Sequence, residues 1–505
     1  MGAEMTLAEV AALLAVAQDH AFGQPPGAQL RSAAVAQRLA AAAGLPRAER
    51  ETTWWISALR FLGCTGHAYD MAVVFGDEID MRARALQADM ANPFDVMGIM
   101  VRHAGSGRSA AARLGSVLSV MAGGKKEAER NFRTACEVAD VLAKRLGLGE
   151  DVRASLAATF ERWNGRGLPS GAAGEAIPLP QRVAQLGQEF EVLARVLGPP
   201  EAMKVVADRA GRAYDPALAG LVVGEGAAWW DEAVAADPWD AALAAAPPCR
   251  PLTESAAYEA LLVLADFADL KSPWTGGHSR GVASLAAEAG GPVADAAALV
   301  HDLGRVAVPN TVWDKPGPLT RDERERAEAH ALVTDQLLRR LPYTAALADA
   351  AAAHERLDGS GYHRRLPGAH LDGAQRVVAA ADCYQAMISD RPHRPAHDPA
   401  AAAAELRAMA AAGRLDGEAV EKVLAAAGHR RSARPAMPAG LSPREVEVLR
   451  LLALGLTTRQ VAERLVIAPK TADHHVQHVY TKIGVSTRGA AALFAIEHGV
   501  LTHGG

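Results

Sequence analysis

Five short stretches between positions 278 and 382 constrain this chain more than anything else in it. They read GHSRGV with His278, LVHDLGR with the adjacent pair His301 and Asp302, EAHAL with His330, AAAHERLDGSGYH with His354, and AADCYQAM with Asp382. A single buried histidine is more often a satisfied core residue than a ligand. Six nitrogen and oxygen donors spread over four or five helical segments are instead what a metal centre inside a helical bundle needs. Imidazole and carboxylate donors suit zinc, manganese, iron or nickel without distinguishing among them, and a carboxylate beside a histidine can bridge two ions.

Composition points to helix as well. Half of the 505 residues are hydrophobic and only 5% aromatic, with the alanine, leucine and arginine richness that favours an all-α fold of about three domains. A net charge of −5 predicts no partner by itself. Four cysteines, Cys64, Cys136, Cys249 and Cys383, lack a CxxC spacing and read as reduced thiols. No signal peptide opens the chain and no apolar run reaches membrane-span length, so a cytoplasmic protein without a membrane partner is expected.

On these motifs, and on HDLGRVAVPNTVWDKPGPLT and ADCYQAMISDRPHRPA, residues 253–428 resemble the HD superfamily of metal-dependent phosphohydrolases, and within it the HD-GYP class of cyclic-dinucleotide phosphodiesterases. The resemblance implies that His278, His301, Asp302, His330, His354 and Asp382 ligate two divalent ions, with Asp302 bridging. It makes Asp302 and Arg305 the catalytic pair, and Arg305, Arg356, Gly361 and Tyr362 the contacts to a nucleotide or phosphodiester. Metals held so would polarise the phosphodiester and activate water.

The chain departs from the class at four points. Ala353 stands where a second histidine is usual before His354; Arg305 replaces a lysine and stays charged at neutral pH; Trp274 replaces a glutamate, against a third metal; and the GYP tripeptide reads Gly361, Tyr362, His363. Two readings follow: a hydrolase, or an inactive sensor in which metal and nucleotide binding only modulate another activity.

The first part of the chain echoes the second. TWWISALRFLGCTG aligns with AAALVHDLGRVAV, placing Arg60 and Phe61 under His301 and Asp302; FERWNGRGLPSG aligns with HERLDGSGYHRR, placing Phe160 under His354; and Gln188 falls under Asp382, with Ser32 near the place of His278. Two matches in the same order indicate an internal duplication. Residues 1–225 thus resemble a degenerate HD domain without metal donors, serving as a ligand-sensing or pairing domain or as a scaffold. Residues 80–130 read as a helical insertion, and His67 as a surface or loop residue. Residues 226–252, with Trp229, Trp230 and Trp239, read as a linker or junction, and 429–440 as a flexible tether.

Residues 441–505 parse into four short helices, near 443–454, 458–465, 469–483 and 487–498. Ser442 and Glu445 form a capping box, and Pro469 sits in the first turn of the third helix. PREVEVLRLLALG, VAERLVIAPKTADHHV and YTKIGVSTR resemble the LuxR-type helix-turn-helix, which implies that the third helix reads double-stranded DNA. Ala472, Val476, Val479 and Ile483 form its inward stripe. Asp473, His474 and Gln477 then face base edges, flanked by Lys470, Thr471, Tyr480 and Lys482 toward phosphates. Residues 429–505 carry ten Arg or Lys against five Asp or Glu, in keeping with that partner. Such domains bind near-palindromic sites as homodimers, so the expected protein is a DNA-binding transcriptional regulator with an HD-type metal site.

Overall fold

The computed structural model describes residues 4–105, 110–428 and 438–501. Among them every regular element is a helix, and the only β pairings are isolated bridges. The chain forms two compact units, Met5–Thr253 and a second running from Glu254 to Gly505. No helix is long and apolar enough to cross a membrane, among the described residues.

The N-terminal unit comprises α1 (Leu7–Ala21), α2 (Ala28–Ala42), α3 (Arg47–Leu59), α4 (Ala68–Phe75), α5 (Glu78–Ala85), α6 (Pro93–His103), α7 (Ala110–Arg145), α8 (Glu150–Ala157), α9 (Leu179–Leu197), α10 (Pro199–Arg209), α11 (Pro216–Ala235) and α12 (Pro238–Ala244). The expected break at 225/226 is absent, because α11 runs through it without interruption. Trp229 and Trp239 are buried, and Trp54 Nε1 donates to the Ala242 carbonyl at 2.9 Å. The tryptophan segment is therefore integral to the N-terminal unit.

In the C-terminal unit, α13 (Glu254–Asp269), α14 (His278–Gly290), α15 (Pro292–Val300), α16 (Asn310–Trp313), α17 (Arg321–Leu338), α18 (Pro342–Ala348), α19 (Gly373–Met387), α20 (Pro399–Ala411) and α21 (Gly417–Ala426) precede the terminal helices α22 (Pro443–Ala453), α23 (Thr458–Leu465), α24 (Pro469–Ile483) and α25 (Arg488–Glu497). Most of the expected tether, 429–437, lies outside the described residues; Pro438–Gly440 form a single 3-10 turn.

Three close approaches shape the HD part of this unit. A Cβ on Gly281 would come within 2.6 Å of Gln385, so α14 and α19 cross tightly one turn beyond His278 and Asp382. A Cβ on Gly304 would lie 2.1 Å from the His330 carbonyl oxygen, which seats the turn after His301 and Asp302 directly on α17. Gly304 N–H also donates to Thr334 Oγ1 at 2.9 Å. The loop after His354 closes around the buried Glu355 carboxylate, which accepts from the backbone N–H groups of Arg364, Arg365 and Leu366. Only glycine fits at Gly361, where a Cβ would meet backbone atoms of His354, Glu355 and Arg356 at 2.5 Å.

The same devices recur in the N-terminal unit. A Cβ on Gly63 would fall 1.8 Å from the Ala135 carbonyl oxygen of α7, and one on Gly167 2.3 Å from Arg162 N and Glu161 Cα. Glu161 accepts from Ser170 N–H at 2.7 Å. Asp19 accepts from Gly27 and Gln29 N–H at the start of α2, as Asp269 accepts from Ser279 N–H at the start of α14. Gly27 and Gly277 both hold the left-handed conformation as N-caps. That register sets Ala28, rather than Ser32, at the position of His278. It also sets Ala135 at that of His330, a correspondence the sequence comparison missed.

Candidate metal centre and nucleic-acid interface

Each donor is delivered by one of these junctions. His278 is the first residue of α14, Asp382 lies within α19, and His330 within α17. His301 and Asp302 end α15, and His354 opens the loop organised by Glu355. All six are buried.

The six side chains converge. His278 Nε2 lies 3.1 Å from Asp382 Oδ1 and 3.6 Å from Asp302 Oδ2; His301 Nε2 lies 3.1 Å from Asp302 Oδ2. On the other side, His330 Nε2 and His354 Nε2 lie 3.2 and 3.1 Å from Asp302 Oδ1 and 2.8 Å from each other. The donors thus form two groups, His278, His301, Asp302 and Asp382 in one and Asp302, His330 and His354 in the other, with Asp302 in both. Ligands about 2.0–2.2 Å from a metal stand roughly 3 Å from one another, which is the spacing found here.

The orientation of the rings suits cation binding. His301 Nδ1 and His330 Nδ1 face the carbonyl oxygens of Ala298 and Ala327. A carbonyl only accepts, so Nδ1 carries the proton and Nε2 is the ring atom turned into the site, the usual support of a ligating histidine. Burial pushes His278 down to about 4, and it lowers His330 as well. Burial opposes charge on Asp302 too, but Arg305 and His301 outweigh it and hold that carboxyl well below its usual range. Asp382 is held low against burial by His278 and His301. For His301 burial works against the charged ring, yet Asp302 and Asp382 prevail and raise it to about 10. His301 Nε2 and Asp302 Oδ2, 3.1 Å apart, complete no hydrogen bond although buried. Buried polar atoms normally find partners, and donors left facing one space fit a divalent cation.

The remaining predicted residues divide. Arg305 Nε lies 2.6 Å from Asp302 Oδ2, and its guanidinium sits 4.8 Å from the Trp313 ring centre. Tyr362 stacks on His354 with ring centres 5.1 Å apart. Gly361 makes the turn that brings it there. Arg356 is placed differently from the expectation of a substrate contact: its guanidinium donates to the carbonyls of Ala353 and Glu355 and to Cys383 Sγ, bracing the loop. Ala353 is fully buried and offers no donor side chain. Arg391 was missed. Burial and the neighbouring Arg305 bring it down to about 10, with Asp382 and Asp302 acting in the opposite sense, and its Nη1 donates to the Trp274 carbonyl at 3.1 Å. Its only sequence signal is the arginine-proline run DRPHRPA after α19.

In the N-terminal unit the equivalent positions hold Ala28, Arg60, Phe61, Ala135, Phe160 and Gln188. Among the described residues, both groups able to hold a metal belong to the C-terminal unit. His67 is buried with Nδ1 unpartnered, not at the surface, because its short 3-10 turn packs on α7.

In the terminal helices, Ser442 and Glu445 form the capping box of α22, and Thr457 and Gln460 that of α23. Ala472, Val476 and Val479 of α24 are buried, and Ile483 packs partly buried against the same core. Lys470, Thr471, Asp473, His474 and Gln477 are exposed, while Tyr480 is half-buried. Lys482 is exposed but engaged: its Nζ reaches Glu445 Oε2 at 2.7 Å. It therefore ties α24 to the start of α22 instead of standing free for phosphate.

Comparison with known proteins agrees with this architecture. The HD domain family model matches residues 125–218 and 263–419, and that of bacterial regulatory proteins of the luxR family matches 439–495. The 3'3'-cGAMP-specific phosphodiesterase 3 of Vibrio cholerae serotype O1 is 30% identical over 404 residues, covering 77% of this chain and 88% of that protein. A cyclic di-GMP phosphodiesterase response regulator of Xanthomonas campestris pv. campestris is 39% identical over 121 residues, 23% of this chain and 32% of the relative. The crystal structure of a cyclic GMP-AMP specific phosphodiesterase of V. cholerae superposes with a TM-score of 0.58 at 26% identity, covering 84% of this chain and 98% of that one. The chain belongs to the HD-domain family. It joins an HD domain related to cyclic-dinucleotide phosphodiesterases to a C-terminal LuxR-type DNA-binding domain.

Proposed function

We propose that this protein is a cytoplasmic, homodimeric transcription regulator whose HD site holds a pair of divalent ions and hydrolyses a cyclic dinucleotide. The observation that carries the reading is Asp302, whose two carboxylate oxygens each face a different set of histidines. Divalent ions held there supply Lewis acidity toward a phosphodiester and an activated water. His278, His301 and Asp382 would hold one ion and His330 and His354 the other, with Asp302 able to serve both groups. Arg305, fixed between Asp302 and Trp313, and Arg391 beside it carry positive charge toward a phosphate. Tyr362, stacked on His354, offers an aromatic face to a base. In α24, Asp473, His474 and Gln477 read base edges, and Lys470 and Thr471 contact phosphates. A homodimer follows from the two-fold symmetry of near-palindromic half-sites.

A sensor without turnover is the second reading, favoured by one observation: the fully buried Ala353 leaves the His330–His354 group one donor short of the usual pattern. Incubation of the full chain with 3'3'-cGAMP and cyclic di-GMP in manganese separates the two. Hydrolysis lost in His301→Ala and Asp302→Ala supports the enzyme. Saturable binding that changes duplex affinity without product supports the sensor, and neither result defeats both.

A further inference from the structure

The N-terminal unit holds a partly open cavity of about 250 Å³ that takes the place of the metal centre, since Arg60, Phe61, Phe160 and Gln188 all line it. The rest of the wall is mainly apolar, with Phe22, Phe75, Met81 and Phe132 contributing rings and a thioether. Among the described residues four guanidiniums, of Arg60, Arg82, Arg162 and Arg166, line it against two carboxylates, of Glu127 and Glu189. Those carboxylates are engaged: Glu189 by Arg162 at 3.0 Å and the Tyr214 hydroxyl at 2.7 Å, and Glu127 by Arg130 at 2.8 Å. Arg82 donates to the carbonyls of Cys64 and Ala21.

Arg60 is different. It is 4% exposed and donates once, to the Thr159 carbonyl at 3.0 Å, leaving Nε and Nη1 without partners. Among the described residues no carboxylate forms an ion pair with it; Arg162 opposes its charge, Glu189 favours it from beyond ion-pair distance, and the Phe61 ring lies 5.7 Å away. A buried guanidinium with unfilled donors is costly to keep unless something completes it. His67 Nδ1 and Asn131 Oδ1, on the same wall, are also buried and unpaired.

We propose that this cavity binds a small amphipathic carboxylic acid, such as a medium-chain fatty acid or an aryl carboxylate, with its carboxylate on Arg60 and its apolar body among the phenylalanines and Met81. The mainly apolar wall suits a body of rings or methylenes better than the riboses and two phosphates of a cyclic dinucleotide. The site lies in the unit without the metal centre and shares no residue with it.

Isothermal titration of the full chain with decanoate, 2-naphthoate, decanol and acetate tests the assignment. At least one of the two large acids binds one to one, at least about tenfold tighter than decanol, as a charge-assisted hydrogen bond demands, while acetate gives no saturable heat. Arg60→Met lowers acid affinity at least tenfold and keeps decanol binding, and Asp302→Ala, which alters only the metal centre, leaves acid affinity unchanged. Should Arg60→Met fail to fold by circular dichroism, the wild-type ligand series decides alone. Absence of binding by both acids, equal affinity for decanol, unchanged acid affinity in folded Arg60→Met, or loss of acid binding in Asp302→Ala overturns the proposal.

Discussion

Gly63 and Gly304 do the same work in the two copies, while Phe61 and Asp302, two positions before them, do opposite work. Both glycines let a turn press on the backbone of a long helix, and in both copies a buried glutamate holds the following loop and a buried aspartate caps an entering helix. In one copy these junctions aim six donors at a common point; in the other they surround an apolar cavity. The framework that positions side chains is thus separable from the side chains it positions, and the loss of a metal site need not loosen the fold.

Exchanging the divergent residues tests that separation with the largest effect. Asp302→Phe, which installs the N-terminal residue in the C-terminal copy, removes the donor shared by both groups and lowers metal affinity by at least ~100-fold, the upper end of losses from supporting residues alone. The converse Phe61→Asp adds no metal equivalent, since Arg60, Phe160 and Gln188 supply no second strong donor. Metal titration reads both, and a new equivalent in Phe61→Asp would break the comparison.

Exchanging the common residues comes next. Gly63→Ala and Gly304→Ala each lower stability by about 1–3 kcal/mol through overpacking, measured by denaturant unfolding; a large loss in only one copy would mean that the two junctions are not equivalent. Asp269→Ala, which frees the start of α14 and so loosens His278, weakens metal binding by about tenfold, whereas Asp19→Ala leaves it unchanged.

The smallest effect lies in the DNA-binding helices, where Lys482 also positions instead of reading. Hydrogen bonds from Lys482 and the Ser442 N–H hold Glu445 down to about 2. Because its folded value lies below an unfolded value of about 4.3, its stabilisation is present above that value and fades as pH falls toward 2. Lys482→Met flattens that dependence by less than about 1 kcal/mol, the scale of a partly exposed pair, as thermal melts across pH 2–5 would record.

The convergence of the six side chains was legible because their motifs keep chain order and spacing, five of them at a helix end or on a helix and His354 at the opening of a loop. The recognition helix was legible for the same reason: Ala472, Val476 and Val479 repeat at helical spacing. What sequence could not provide was register across weakly similar helices. Ala28 and Ala135 carry no chemical mark of the histidines they replace, and only the packing of Gly27 and Gly63 locates them. The intramolecular partners of Arg356 and Lys482 were illegible for a related reason. A cation in a motif looks the same whether its donors face a phosphate, a carbonyl three residues back as at Arg356, or a distant carboxylate as at Lys482. The boundary at 225/226 fell inside α11 because tryptophan and alanine there continue a helix as readily as they end one.

Metal content of the intact protein, purified without chelator and compared with Asp302→Ala, bears most directly on the claim that six side chains share one cationic centre. The account predicts about two divalent equivalents per chain in the wild type and none retained in the variant. A wild type that takes up no metal even at millimolar manganese, or a variant that binds as the wild type does, would contradict it.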